Sequence, residues 1–147
     1  MEESGCYSFT IGIESGSPKI LKDTKRKLRL GVMEDRIKMI AENTYIRMTG
    51  YIIIGYPTET LADIKKTVDF SLKLPIRRVD YHNFIPLSGT ESFNKLVEEG
   101  EIDLEKIDWD KIVTLDIHFS PKGVTQQKIK SIIKISFLRL YLRPHGF

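Results

Sequence analysis

A single cysteine, Cys6, stands in a chain of 147 residues, and histidine occurs only three times. That supply excludes, within one copy of the chain, a four-thiolate zinc site, a mixed site needing two thiolates, and the thiolate set of an iron-sulfur cluster. Long hydrophobic runs are missing too: nothing approaches the roughly 20 apolar residues of a membrane span. The polar start Met1-Glu-Glu-Ser4 is no secretory signal, so the cytoplasm is the expected compartment, where a lone thiol is unremarkable. Charge of one sign is scarce as well, since 23 Lys and Arg meet 20 Asp and Glu for a net +3. That excess is too small to argue for a nucleic-acid partner, and none is expected. Neither the P-loop pattern nor GxGxxG occurs, which removes the common phosphate-binding turns. What remains is 41% hydrophobic and 29% charged, the composition of one globular domain with a real core.

Two segments carry most information. Phe9-Thr-Ile-Gly-Ile-Glu-Ser-Gly-Ser17 and Gly50-Tyr-Ile-Ile-Ile-Gly-Tyr-Pro-Thr-Glu-Thr60 each read as an apolar strand running into a polar turn that contains glycine. Such strand ends deliver backbone N–H groups and short polar side chains to the place where parallel α/β sheets bind ligands. The pattern predicts a strand over Tyr7–Ile13 and a helix opened by Ser17 as cap with Pro18 in its first turn. A second helix is expected from Met33 to Asn43, and an interior strand from Ile46 to Ile54, whose centre is apolar without alternation. Thr60 then caps a helix carrying Leu61, Ile64, Val68, Leu72 and Leu74, closed by Pro75. A third unit runs from a strand at Arg78–Pro86 through the turn Leu87-Ser-Gly-Thr90 to a helix at Ser92–Glu99, ending at Gly100.

Three strand-turn-helix units in succession predict an α/β fold with parallel strands, because a parallel return needs a crossover of a dozen or more residues. Residues 1–100 hold these units. Residues 101–147 comprise an irregular stretch through Asp108-Trp-Asp110, an extended piece at Ile112–Phe119 and a closing helix over Thr125–Leu142. No linker divides the chain into two domains.

Four motifs in order, Ile11-Gly-Ile-Glu-Ser-Gly-Ser17, Ile53-Ile-Gly-Tyr-Pro-Thr-Glu-Thr60, Pro86-Leu-Ser-Gly-Thr90 and Leu140-Tyr-Leu-Arg-Pro144, resemble the later half of radical S-adenosylmethionine enzymes, nearest to the cobalamin-binding branch. The resemblance implies a partial TIM-like (β/α) barrel fragment of about three strand-helix units plus a C-terminal helix. It also implies S-adenosylmethionine and a 4Fe-4S cluster as the family's cofactors, with cobalamin in a full-length relative. The family's CxxxCxxC cluster loop does not occur in this chain, so the expected function is that of a C-terminal fragment that contributes S-adenosylmethionine contacts, with catalysis by the isolated chain doubtful. The alternative is a non-catalytic half-barrel binding or scaffold module. An N-terminal half, or a second copy paired along the open edge of the first strand, is the expected partner.

Onto this chain the resemblance carries Glu14, with Ser15 beside it, as acceptor for the ribose hydroxyls, for which a carboxylate has two oxygens. It carries Arg26 as the grip on the methionine carboxylate, Ile53 as the apolar cover of adenine, and Gly55 as the point of close backbone approach. Ordinary readings compete: a solvated turn for Glu14, Ser15 and Ser17, a wet basic face for Lys22–Arg29, and core packing for the isoleucines. Tyr51 replaces an acidic residue of some other branches, and Ser88 stands where the family often has a second proline. Asp80, His82 and Phe84 share one face of the third strand, so His82 is a candidate to face the interior, whereas His118 and His145 have no metal-site companions in the sequence. The closing helix mixes apolar residues with Lys128, Lys130, Lys134, Arg139 and Arg143, and packing is favoured over contact with a membrane surface.

Overall fold

In the computed structural model, residues 2–106 and 119–142 are described. The Asp108-Trp-Asp110 stretch, most of the expected extended piece, His118, Arg143, Pro144 and His145 lie outside them.

Strands β1 (Ser8–Glu14), β2 (Arg47–Ile54) and β3 (Arg78–Asn83) form a parallel sheet in the order β1-β2-β3. Between them run helices α1 (Pro18–Asp23), α2 (Leu30–Asn43) and α3 (Leu61–Lys73), followed by α4 (Glu91–Glu98) and α5 (Gln126–Leu142). The α/β class therefore holds. Most boundaries agree to within one residue, with β1 continuing through Glu14; the larger shifts are that α2 starts three residues before Met33 and β3 stops at Asn83 rather than Pro86. The last follows from pairing, since the β2 register ends with Ile54 opposite Asn83 and leaves Phe84 only the final N–H···O bond to Ile54.

Alternation sorts the strand residues onto two faces. Ile13, Met48, Ile52, Ile54, Val79 and Tyr81 turn to the helices and are buried with Ile37 of α2, Ile64 and Val68 of α3, and Ile129 and Leu140 of α5. Each such side chain contributes roughly 1.5–3 kcal/mol by leaving water. The opposite face carries Thr49, Tyr51, Ile53, Asp80 and His82, all half-buried. This resolves the ambiguity of the Tyr51–Ile54 run: Ile52 and Ile54 are core, and Ile53 is not.

Local chemistry fixes the helix starts. Thr60 accepts the Asp63 N–H at 3.2 Å while the Asp63 carboxylate accepts the Thr60 N–H at 3.1 Å, a complete capping box. Thr90 accepts the Phe93 N–H at 3.2 Å to open α4. Ser17 departs from expectation. It occupies the cap position of α1 but makes no side-chain cap bond, because its hydroxyl donates to Asp63 at 2.8 Å. Among the described residues β1 pairs only with β2, so its outer edge carries unpaired backbone groups.

Candidate functional site at the carboxyl ends of the strands

Glu14 ends β1 with φ +66, a left-handed backbone that a glutamate rarely adopts. The sheet register shifts between Gly12 and Glu14 at the same point, which turns the carboxylate out of the strand alternation. Its Oε1 lies 3.2 Å from Arg26 Nη2, and its Oε2 is buried with no partner. The Glu14 side chain is 12% exposed and that of Arg26 is 54% exposed, so the pair has a buried and a wet end. Lys25, also left-handed at φ +57, reverses the chain after α1, and the Arg26 N–H closes the turn on the Leu21 carbonyl at 2.8 Å.

The turn after Glu14 is glycine-bearing for a reason the sequence did not reveal. The positive φ falls on Glu14, whereas a Cβ on Gly16 would sit 2.7 Å from both Thr67 Cα and Phe70 Cβ of α3. Close helix approach, not torsion, demands that glycine. Ser15 is fully buried: its Oγ lies 3.0 Å from Thr67 Oγ1 and accepts the Ser17 N–H at 3.1 Å. The Gly16 N–H donates to Thr67 Oγ1 at 3.1 Å. Ser15 and Ser17 thus tie the tip of β1 to α3, through Thr67 and Asp63 respectively. Burial raises the Asp63 carboxyl, but hydrogen bonds from Thr60 and Ser17, with Lys19 nearby, outweigh it and hold the pKa at about 2.

At the end of β2, Gly55 has φ +94, and a Cβ there would lie 2.9 Å from Asn83 Oδ1. Its N–H donates to Glu59 Oε2 at 2.6 Å. Glu59 is buried at 2% exposure, and its Oε1 has no partner. Burial raises its pKa to about 7 against the opposing pull of the Gly55 and Tyr56 backbone bonds. Tyr56 packs beside Phe84, with ring centroids 5.4 Å apart, and Phe84 meets Phe119 edge-on at 5.8 Å. These rings line one side of an open cleft of about 550 Å³ whose other walls include Lys25, Glu91, Lys95 and Lys122. Burial, reinforced by the Glu14 charge and opposed by Arg26, pushes the Tyr56 phenol above its ordinary range, so it stays neutral.

On β3, His82 lies opposite Ile53 in register and stacks on Tyr51 at 4.0 Å and 14°. Its Nδ1 is buried without a partner. Phe84 lies past the strand end and packs with Tyr56 and Phe119. The neighbouring Asn83 donates to the Phe84 carbonyl at 3.0 Å and leaves its Oδ1 unpartnered.

The four buried side-chain atoms without a partner among the described residues thus belong to Glu14, Glu59, His82 and Asn83. All stand at the carboxyl ends of the three strands or in the turn that follows β2. An orphaned buried polar atom costs about 1–3 kcal/mol, and their concentration at one end of the sheet makes that end the candidate ligand site. Of the expected residues, Glu14 and Arg26 are brought together, Ile53 and Gly55 lie on the adjacent strand and turn, and Ser15 is turned inward. Glu59, Asn83 and Tyr56 were not foreseen. The only signal for Glu59 was its place four residues after Gly55.

The donor chemistry at the strand ends suits one of the two cofactors that the resemblance implies and not the other. An unpartnered carboxylate oxygen beside a half-exposed guanidinium suits a group bearing hydroxyls and a carboxylate, which fits S-adenosylmethionine. A 4Fe-4S cluster does not fit: the lone Cys6 precedes the amino end of β1, at the opposite end of the strand from Glu14. Among the described residues no group of three or more His, Cys, Asp or Glu could hold a metal ion, and no helix is long and apolar enough to cross a membrane.

The described residues thus form a parallel α/β segment with a polar, partly charged candidate site at the carboxyl ends of its strands. Comparison with known proteins places it further. An uncharacterised methyltransferase of Pyrococcus horikoshii is 29% identical over 144 residues, covering 98% of this chain and 31% of that protein. Bacteriochlorophyllide d C-12(1)-methyltransferase of Chlorobaculum tepidum is 29% identical over 134 residues, 90% of this chain and 28% of its own length. tRNA-2-methylthio-N(6)-dimethylallyladenosine synthase of Treponema denticola is 28% identical over 106 residues, 69% of this chain and 24% of its own. No protein-family model matches the chain. The chain's homologues are methyltransferases and methylthiotransferases of the radical S-adenosylmethionine superfamily, its cobalamin-binding branch included. The chain spans about a third or less of the length of these relatives.

Proposed function

We propose that the chain forms the carboxyl-terminal part of a radical S-adenosylmethionine domain, a fragment of its partial (β/α) barrel, in an enzyme that transfers methyl or methylthio groups. In this reading Glu14 accepts hydroxyls of the cofactor's ribose through the oxygen that the protein leaves unpaired. Arg26, balanced against Glu14 without ligand, turns its exposed N–H groups to the methionine carboxylate. Ile53 covers the adenine, and Gly55 admits the base close to the backbone. Ser15 takes part as a positioning residue, since its hydroxyl fastens the tip that carries Glu14. The superfamily's cluster supplies the electron that cleaves the sulfonium; with no thiolate set to hold it here, no step is assigned to this chain through it, and the isolated chain is expected to be inactive.

The unpaired outer edge of β1 is where the preceding strands of such a domain, or a second copy of the chain, would add. The buried, partnerless Glu14 Oε2 is the observation that carries the cofactor proposal. Titration calorimetry with S-adenosylmethionine tests it. Weak binding is expected for the chain alone, and its loss in Glu14→Ala. Unchanged binding by a folded Glu14→Ala protein would remove Glu14 from the site.

A further inference from the structure

Helix α5 carries two apolar stripes, and packing accounts for one. Ile129, Ser136 and Leu140 are buried, with Ile133 and Phe137 half-buried beside them. The second stripe is Ile135, Leu138 and Leu142, spaced three and four residues apart and 55%, 54% and 80% exposed, with Tyr141 at 64% alongside. At about 100° per residue it lies on the far side of the helix from Ile129. The same rotation puts Lys130 and Lys134 along one flank of this ridge and Lys128 and Arg139 along the other. No Asp or Glu occurs between Gln126 and Leu142. Arg139 lies 3.5 Å from Asp69 of α3, with both side chains more than half exposed.

We propose that α5 rests on an anionic lipid surface, with the ridge of Ile135, Leu138 and Leu142 entering the acyl boundary and Lys128 and Lys134, on opposite flanks of the ridge, reaching the headgroup phosphates. The charge chooses the occupant: cations on both flanks and no anion on the helix select a negative partner and oppose a second copy of the same face. The shape agrees. An exposed convex ridge sinks into a lipid interface without a matching groove, and long Lys and Arg side chains extend from its sides to the headgroups. Tyr141, apolar ring with polar tip, suits the interface level. Among the described residues no helix can cross a membrane, so the contact lies along the surface.

Co-sedimentation with vesicles tests this, comparing phosphatidylcholine alone with an equal mixture of phosphatidylcholine and phosphatidylglycerol. The chain is expected to pellet with the anionic vesicles at low salt and to be released as salt screens the charges. Lys128→Gln with Lys134→Gln should weaken partition about 25-fold, from about fivefold for each cation. Ile135→Ser with Leu138→Ser should lose binding while keeping the melting temperature, because both side chains are more than half exposed. Failure to bind anionic vesicles at low salt, or undiminished binding by the folded ridge variant, would overturn the proposal. So would a dimer seen in ultracentrifugation and dissolved by the ridge variant, since the ridge would then be an interface between copies. Cofactor binding at Glu14 is measured separately, and neither outcome decides the other.

Discussion

Replacing Glu59 with glutamine should remove a pH dependence of stability that the fold builds into its second strand-end turn. In the folded protein Glu59 titrates at about 7, against an ordinary value of 4.5, because burial penalises its charge more than the Gly55 and Tyr56 backbone bonds favour it. Between those two values the native state keeps a proton that the unfolded chain releases. The stabilisation is therefore complete below pH 4.5, declines as pH rises through about 7, and is absent above it. A shift of about 2.5 units corresponds to about 3 kcal/mol, a sizeable share of a small domain's stability. Asp63 works in the opposite sense, but its depressed value of about 2 against 3.8 confines it to a more acidic window. Urea unfolding at several pH values from 4.5 to 8, with wild type and Glu59→Gln side by side, isolates the effect. Any constant offset from the new amide is irrelevant; the difference between the two curves must change by about 3 kcal/mol, wild type losing ground as pH rises. Parallel curves would refute the assignment of a buried, protonated Glu59.

Two further outcomes follow from the same geometry. Glu14→Gly should raise the melting temperature, since relief of the left-handed backbone and removal of an orphaned oxygen, about 1–3 kcal/mol each, exceed about 1 kcal/mol of glycine entropy. A lower melting temperature would mean that the ion pair with Arg26 outweighs both. Gly16→Ala should cost about 2–4 kcal/mol in thermal or urea unfolding, because the new methyl meets the Thr67 backbone and Phe70 Cβ at 2.7 Å, where no flexible side-chain end can yield.

The alternation of Phe9, Ile11 and Ile13 and the helical spacing of Ile64, Val68 and Leu72 placed the elements to within a few residues. Thr60 announced its helix. Boundary errors fell where a tertiary contact decides: β3 stops where its pairing with β2 ends, and Ser17 exchanges its cap bond for Asp63, 46 residues away. The site was partly legible. Glu14, Arg26, Ile53 and Gly55 could be named from the motifs, but Ser15 reads as a polar turn residue in sequence and proves fully buried against Thr67. Glu59 and Asn83 carried no periodic signal, because their role depends on what covers them.

The sequence by itself determined the order of strand, turn and helix, the parallel α/β class and the motifs that tie the chain to its relatives, since side-chain period and turn chemistry are local. Tertiary structure alone decided which face of β2 is core, that Glu14 pairs with Arg26 yet keeps one oxygen unpaired, that Glu59 holds a proton near neutral pH, and that α5 leaves a second apolar stripe uncovered. Periodicity reports the faces of one element. Desolvation, pairing and exposure depend on which distant segments pack against those faces.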